Sequence, residues 1–306
     1  MDGVLVVDKP AGPTSHDVVA RVRRALGTRR IGHTGTLDPL ATGVLPLVIG
    51  RATRLAALLS GAVKTYEADV RFGAATPTYD AEPRMGVDPD TGLARRLPPP
   101  PPPAGLTAEA IAAALSGFRG TFAQMPPPFS AKKTGGVPAY RRARRDEEVT
   151  LRPVRVSVDH LSLAGYEAGL ARLELTCSAG FYVRSLAHEL GEHLGCGAHL
   201  ERLRRTRAGD FSVEDSVPLA QVEADPAAAR GRIVRLDRLL PQLPAAVLTP
   251  GGLQRARHGN AVAPSDLASP AGPAGQGFCR LVDQAGALIA IAEPKAGVLH
   301  PVIVLV

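Results

Sequence analysis

Residues 32–43 concentrate side chains that could do chemistry. They include one imidazole (His33), one carboxylate (Asp38), three threonines and three glycines. The glycines and Pro39 predict an irregular backbone, and the apolar run at 44–49 predicts a buried strand directly after it. A carboxylate held on such a loop can act as a nucleophile at a sugar or base carbon without a metal ion. It can also serve only as a hydrogen-bond acceptor in a turn; we interpret Asp38 as the nucleophile.

Four other side chains are candidates for the same site. His33 could transfer a proton, stack in place of a displaced base, or simply be solvated. Tyr66, in an alternating strand-like sequence, could stack on a base, take up a proton, or pack in the core. Tyr182 and Arg184 lie two residues apart near the end of a predicted strand, so both would face one way. An arginine beside Asp38 would keep that carboxylate ionised, but the spacing leaves their proximity open.

The elements that position these groups follow from apolar periodicity and capping residues. In chain order we predict a strand at 4–7, a helix capped by Thr14 or Ser15 and ended by Gly27, strands at 44–49 and 64–72, a helix at 107–118, strands at 154–163 and 170–177, and a helix that ends at Gly195 or Gly197. Helices and strands therefore both contribute to the fold.

The composition changes after Pro244, where short strand-like runs alternate with glycine and proline. We therefore predict two domains, residues 1–245 and 246–306, with strands at 279–282, 288–292 and 302–306 forming a small C-terminal β-barrel. Six prolines at 98–103 predict an extended polyproline II segment. It could be a ligand for a proline-recognition partner, but we interpret it as a spacer loop.

The charge of the chain points to a polyanionic partner. The formal net charge is +7 over 306 residues, and the excess is carried mainly by arginine, which suits phosphate contacts. Aromatic residues make up only 4% of the chain, which argues against an extended single-strand stacking channel and favours a folded RNA. The basic clusters are Arg21/Arg23/Arg24, Arg29/Arg30, Arg141/Arg142/Arg144/Arg145 and Arg202/Arg204/Arg205/Arg207.

Other classes of protein fit the sequence poorly. Three widely spaced cysteines predict no disulfide framework, and no apolar run approaches the roughly 18 residues of a membrane span. The start of the chain lacks the pattern of a signal peptide, so we expect a cytoplasmic protein. A zinc site on His188, His193, Cys196 and His199 is an alternative. However, His188 and His193 are five residues apart, whereas the two histidines of the HExxH motif are four residues apart.

Taken together, these motifs resemble the bacterial tRNA pseudouridine synthases of the TruB type, which isomerise uridine 55 in the tRNA T-loop. The matching motifs are the loop at 32–43, the Lys-Pro element at 7–12, Tyr66, the Gly-x-Tyr-Val-Arg motif at 180–184, and residues 194–199 with Leu203, Arg204 and Arg205. The resemblance spans residues 3–245, and the C-terminal segment resembles a PUA-type RNA-binding domain.

The resemblance implies an α+β fold, with a catalytic core built on a central mixed, mainly antiparallel sheet flanked by helices, and with no metal or cofactor. It implies that Asp38 is the nucleophile, that Arg184 is its ion-pair partner, and that Tyr66 stacks on the flipped uracil and is a candidate to remove the C5 proton. The substrate-binding residues it implies are His33, Lys9, Pro10, Tyr182 and Leu203, together with Lys132, Lys133 and Tyr140 in an RNA-gripping insertion at about 129–145.

Two departures from the family pattern affect local geometry only. Phe181 replaces a small polar residue, and the segment at 76–80 is a degraded Thr-Asp-Thr-x-Asp sequence. The sequence leaves open whether Asp38 attacks C1′, attacks C6, or acts by elimination.

The expected partner is tRNA, without a membrane, and the default oligomeric state is a monomer. Alternatives are an RNA-binding or RNA-folding protein without catalysis, a metallohydrolase, and a guide-RNA-dependent relative. The insertion at 129–145 argues against the last of these, because a protein with such an insertion grips its own substrate.

Overall fold

The computed structural model describes residues 1–81, 100–130, 151–269 and 277–305, and the backbone of four short strands between these ranges. The strands are β1 (Gly3–Lys9), β2 (Ile31–His33), β3 (Thr42–Ile49), β4 (Lys64–Phe72), β5 (Met85–Val87), β6 (Ala94–Arg96), β7 (Gly120–Gln124), β8 (Lys133–Thr134), β9 (Val137–Pro138), β10 (Val154–Glu167), β11 (Leu170–Cys177), β12 (Ala198–Ala208), β13 (Phe211–Ser212), β14 (Val217–Pro218), β15 (Val234–Arg235), β16 (Ala245–Leu248), β17 (Leu267–Ser269), β18 (Cys279–Val282), β19 (Leu288–Lys295) and β20 (Val298–Val304). The helices are α1 (Ser15–Leu26), α2 (Ala56–Ser60), α3 (Ala108–Leu115), α4 (Val183–His193), α5 (Leu219–Ala224), α6 (Pro226–Gly231) and α7 (Pro250–Arg257).

A large mixed sheet organises the first 240 residues. Its strand order is β14-β1-β3-β12-β4-β11-β10-β7, with β2, β13 and β15 attached at its sides. The β1–β14 and β3–β12 pairs are parallel and the remaining pairs are antiparallel. This confirms the predicted α+β class and the mainly antiparallel sheet.

The two faces of β1 belong to two different cores because side chains alternate along a strand. Leu5 and Val7 face the main core, into which α1, α3, α4 and α5 place their apolar sides. Val4 and Val6 face a second core on the reverse side of the sheet, shared with strands of the C-terminal segment. The reverse face of β1 and β3 is therefore covered by the C-terminal segment.

The C-terminal strands form a separate five-stranded sheet in the order β17-β16-β18-β19-β20. Within the described part of the chain, the outer strands β17 and β20 pair with one neighbour each and not with one another. The predicted small β-barrel is therefore an open sheet. One face of this sheet packs on the reverse side of the large sheet, and the other face forms a third core with α7, so both faces are buried without closure.

Helix α1 follows the sequence prediction at both ends. Thr14 is the N-cap and forms a capping box with Asp17, and Gly27 closes the helix in the left-handed conformation with φ of 64°.

In the described ranges, no helix is both long and apolar enough to cross a bilayer.

Helix α4 corrects one prediction. Tyr182 and Arg184 were expected near the end of a strand, but Tyr182 is the N-cap of α4 and Arg184 lies in its first turn. The strand that precedes them, β11, ends at Cys177. Residues 178–182 form a turn with φ of 86° at Gly180, which a glycine adopts readily.

Candidate active site

Five of the residues singled out in the sequence line one cavity of about 390 Å³. They are Asp38, Tyr66, Tyr182, Arg184 and Leu203. The walls come from the loop before β3, the start of β4, the N-terminus of α4 and the middle of β12. A volume of this size is typical of a small-molecule site, and it holds one nucleobase comfortably.

The loop that carries Asp38 is braced from below. Lys9 is fully buried, and its Nζ donates hydrogen bonds to the carbonyl oxygens of Ala41 at 2.6 Å and Pro39 at 3.3 Å. The hydroxyl of Ser15 donates to the carbonyl of Leu37 at 3.0 Å and accepts from the amide of Leu37 at 2.8 Å. These bonds tie the loop to β1 and α1, so Asp38 has a fixed position.

Gly43, the last residue of the sequence motif, lets β3 approach β12 beside the site. Its φ is 99°, and a Cβ there would lie 2.2 Å from the carbonyl oxygen of Arg205. The two strands pair in parallel at this point, with Gly43 opposite Arg205. A side chain at Gly43 would therefore both strain the backbone and separate the strands.

Arg184 forms an ion pair with Asp38. Its Nη2 donates to Oδ1 of Asp38 at 3.2 Å, and its Nε lies 2.9 Å from Oδ2. The Arg184 side chain is only 6% exposed, whereas that of Asp38 is 33% exposed. The carboxylate thus opens on the cavity while its counter-ion is enclosed by protein.

A second carboxylate, missed in the sequence, shares Arg184. Oδ2 of Asp80 lies 3.6 Å from Nη1 of Arg184, which also donates to the carbonyl of Thr78 at 3.1 Å. The hydroxyl of Thr78 in turn donates to Oδ1 of Asp80 at 2.6 Å. The segment at 76–80 could have identified Asp80 from the sequence, because it retains the threonine and the aspartate that make these contacts.

The electrostatics of Asp38 reflect these neighbours. Burial raises the pKa of the Asp38 carboxyl; the charge of Arg184 opposes the rise, and the charge of Asp80 adds to it. The net direction is upward, and the ionised form of Asp38 is favoured chiefly by the charge and hydrogen bond of Arg184, with a smaller effect from the charge of Lys9.

Tyr66 is 8% exposed and lies on β4 directly opposite Arg205 of β12. Burial raises the pKa of the Tyr66 phenol, whereas the charge of Arg205 and a hydrogen bond from it oppose that rise. The phenol is thus held beside a fixed cation at one wall of the cavity.

Lys64 and Arg205 are two cavity residues that the sequence interpretation missed or misplaced. Arg205 was assigned to a surface cluster for phosphate contacts, but it is 1% exposed and lines the cavity. The prediction was wrong for Arg205 because neighbouring strand residues face opposite ways, so Arg204 meets Asp8 outside while Arg205 points inward. Leu203, a pocket residue implied by the resemblance, lies two residues before Arg205, and residues two apart in a strand face the same way. This spacing could have identified Arg205 as a cavity residue.

The pKa of Lys64 gives a first prediction. Burial and the charge of Arg205 lower it to about 8, against about 10.4 in an unfolded chain. Between these values the unfolded chain binds more protons, so stability rises with pH there. Relative to Lys64→Met, the wild-type free energy of unfolding is expected to gain about 1 kcal/mol between pH 7 and 9. Urea titrations of both proteins at both pH values measure this difference. A difference in free energy of unfolding between the two proteins that is the same at pH 7 and pH 9 would contradict the lowered pKa of Lys64.

The start of α4 is held by β7. The buried amide of Gln124 donates to the carbonyl of Tyr182 at 3.0 Å and accepts from its backbone N–H at 2.8 Å. The hydroxyl of Ser185 donates to the carbonyl of Met125 at 2.7 Å. Phe181, the residue that departs from the family pattern, packs edge to face on Phe122 with ring centroids 6.4 Å apart.

Other predicted binding residues lie elsewhere. His33 and Pro10 are outside the lining of the cavity; the His33 ring packs against His16 with centroids 5.4 Å apart, and burial lowers the pKa of His33. Lys132 and Tyr140 fall outside the described residues, and for Lys133 only the backbone is described.

The residues of the alternative zinc site have other contacts. The ring of His188 stacks on Tyr79 with centroids 3.8 Å apart, and Nδ1 of His199 donates to the carbonyl of Ala74 at 2.7 Å. The described ranges contain no group of three or more histidine, cysteine or acidic side chains arranged to hold a metal ion.

Two family models match the chain. The model for the TruB family pseudouridylate synthase (N terminal domain) matches residues 23–183, and that for the tRNA pseudouridylate synthase B C-terminal domain matches residues 184–247.

Curated relatives are similar over the whole chain. A protein of Solibacter usitatus named tRNA pseudouridine synthase B is 44% identical over 308 residues, which cover 100% of both chains. A protein of the same name from Thermobifida fusca is 41% identical, covering 99% of this chain and 98% of its own. A chain in the solved structure of a Cbf5-Nop10-Gar1 complex has a TM-score of 0.74 at 24% identity, over 99% of this chain and 85% of that one. That last similarity concerns the fold alone.

Proposed function

The chain belongs to the TruB family of pseudouridylate synthases, and on that basis we propose that it converts uridine 55 in the T-loop of tRNA into pseudouridine. The observation that carries this proposal is the geometry of Asp38. Its carboxylate opens on a cavity that accepts one base, and it is held there by a buried arginine.

The reaction exchanges one bond to the ribose for another. The bond between C1′ and N1 breaks, C5 of the uracil bonds to C1′, the proton on C5 leaves, and N1 gains a proton. A base inside folded RNA must first leave its stack to reach the enclosed carboxylate. All three routes left open by the sequence, attack at C1′, attack at C6 and elimination, require Asp38 as an anion beside the flipped nucleotide.

Arg184 keeps Asp38 ionised and aims it, because its guanidinium contacts both carboxylate oxygens. Tyr66 lies against the base and is the candidate to take up the C5 proton, since its phenol is in the same cavity. Tyr182 and Leu203 form the remaining walls around the uracil. Lys9 supports the Asp38 loop through the backbone contacts described above.

We further propose that the protein acts on tRNA by itself, as a monomer in the cytoplasm and without a guide RNA. The names of the curated relatives support the action on tRNA, and the net charge of +7 supports a nucleic-acid partner. The segment 246–306 is proposed as a PUA-like RNA-binding domain, and His33, Pro10, Lys132, Lys133 and Tyr140 as RNA contacts outside the cavity. Truncation is a poor test of that domain, because it would uncover the apolar face of β1.

Release of tritium from uridine labelled at C5 tests the proposed reaction. A T-arm hairpin with the label at the target position is expected to lose one tritium per RNA when mixed with the purified protein alone. A hairpin with cytidine at that position and labelled uridines elsewhere serves as the control and should release none. Tight binding of the hairpin without any release would favour the alternative of an RNA-binding protein without catalysis.

A further inference from the structure

Two buried cations line the cavity on the side of Tyr66. Arg205 is 1% exposed and Lys64 is 7% exposed. Nε of Arg205 donates to the carbonyl of Val44 at 2.7 Å, and its Nη2 donates to the carbonyl of Gly35 at 3.1 Å. Nζ of Lys64 donates to two backbone carbonyls of the α2 end at 2.6 Å each. Backbone oxygens thus anchor both side chains.

Neither cation has a carboxylate partner. Within the described ranges, no aspartate or glutamate oxygen lies within 4 Å of a nitrogen of Lys64 or Arg205. The two side chains lie close together, since a single Cβ at Gly35 would contact both of them, and the charge of Arg205 is one cause that lowers the pKa of Lys64. Burying two like charges without a counter-ion is unfavourable. Hydrogen bonds to backbone carbonyls explain how the side chains of Lys64 and Arg205 are held in place. They do not explain why both side chains carry a positive charge.

Gly35 leaves both groups uncovered. A Cβ at Gly35 would lie 3.4 Å from Nη1 of Arg205 and 3.7 Å from Cε of Lys64. Nη1 is the terminal nitrogen that is not hydrogen-bonded to Val44 or Gly35. Nη1 of Arg205 and Cε of Lys64 are therefore next to Gly35, and both residues line the cavity together with Tyr66.

Because Lys64 and Arg205 are buried, only the part of the substrate that enters the cavity can contact them. A phosphate stays with the RNA chain at the mouth of the site, whereas a flipped base enters furthest. In all three open routes the base gains negative charge. Departure of N1, by attack at C1′ or by elimination, leaves the electron pair of the C1′–N1 bond on N1, O2 and O4. Attack at C6 moves the C5–C6 electron pair onto C5 and O4.

We propose that Lys64 and Arg205 are catalytic residues that stabilise the negative charge on the carbonyl oxygens of the flipped uracil. The inference rests on the proposed function. The charge develops while the bond to N1 breaks or the bond to C6 forms. It disappears when C5 has bonded to C1′, the C5 proton has left and N1 has gained its proton. Fixed donors in a water-poor cavity are suited to such a transient charge.

Substitutions on both cations test the proposal. Lys64→Met removes the charge with little change in shape, Lys64→Arg retains it, and Arg205→Lys shortens the second group. Arg235→Met is the control, because Arg235 lies outside the cavity and outside the predicted basic clusters, with its side chain 78% exposed. Hairpins that carry uridine or 5-fluorouridine are used in single turnovers at saturating protein, and hairpin affinity is measured separately. The readout is loss of the starting nucleoside, because 5-fluorouridine can exchange its C1′–N1 bond for a C1′–C5 bond but has no C5 proton to lose.

Lys64→Met is expected to slow conversion of uridine about 100-fold without changing affinity. Lys64→Arg should recover most of the rate, and Arg235→Met should leave the rate unchanged. The 5-fluoro substituent stabilises negative charge on the base itself, so the defects of Lys64→Met and Arg205→Lys should shrink on that substrate. A purely structural role would instead slow both substrates equally.

Wild-type rates in a folded Lys64→Met protein, or equal slowing of the two substrates, would overturn the proposal. Lys64→Met decides the matter if Arg205→Lys does not fold. A wild-type protein that leaves uridine unchanged would instead reject the proposed function itself.

Discussion

Replacing Asp38 by asparagine is expected to lower the rate of isomerisation by a factor on the order of 10⁴ or more, the size of effect seen when a nucleophile is removed. Asparagine has nearly the same shape, and its oxygen can still accept a hydrogen bond from Nη2 of Arg184, so the loop should keep its position. What is lost is the negative charge that all three routes require. Tritium release in single turnovers, together with the melting temperature, measures both effects.

Affinity for tRNA should change by no more than a few-fold in the same variant. Asp38 lies inside the cavity, whereas phosphate contacts on the surface supply most of the affinity for a nucleic acid. Asp69→Asn is the matched control, because Asp69 is a carboxylate of β4 that faces the exposed Arg202 outside the cavity. That control is expected to keep wild-type turnover. Substantial turnover by a clean preparation of Asp38→Asn would remove Asp38 from the mechanism.

The elements that position Asp38 were predictable because their signals are local. An apolar run after a loop rich in glycine predicts a buried strand, and the alternation around Tyr66 predicts a half-buried one. Both strands are present as β3 and β4. A capping residue and a glycine similarly defined α1. In each case a few neighbouring residues carry all the information.

Features that depend on distant residues were less accessible. The resemblance implied the pairing of Arg184 with Asp38, but 146 positions separate the two residues and no local pattern joins them. Arg205 was grouped with surface arginines because the spacing in a cluster does not show which residues face inward. Three of the five strands of the C-terminal sheet were predicted, but the last one begins four residues earlier than predicted. The sheet packs against the reverse side of β1 and β3, which lie within the first 49 residues, so no local pattern shows its open arrangement.

The shared arginine leads to a second strong prediction, on Arg184 itself. Arg184→Gln removes the larger of the two cationic charges that lower the pKa of Asp38. Burial and the charge of Asp80, which raise that pKa, are then opposed only by the charge of Lys9. Since Asp38 must be ionised to act, the acid limb of the pH profile of kcat/KM should move to higher pH. The rate at pH 8 should also fall about 100-fold or more, because the carboxylate loses the donor that aims it.

The loss of a buried ion pair costs about 3–5 kcal/mol, so Arg184→Gln must be shown to be folded before its kinetics are compared. Arg184→Lys keeps a positive charge without the planar fork. It should therefore return the acid limb towards its wild-type position while restoring only part of the rate. A profile for Arg184→Lys that matches that of Arg184→Gln would mean that charge is not what Arg184 supplies.

Asp80→Asn is expected to move the acid limb in the opposite direction. Asparagine can still accept the hydrogen bond from the hydroxyl of Thr78, but the like charge that raises the pKa of Asp38 is gone. Asp38 then shares Arg184 with no second carboxylate, so it ionises at lower pH than in the wild type. Opposite shifts from the two substitutions require that both groups act on one carboxylate, whereas shifts in the same direction would contradict the electrostatic account of the site.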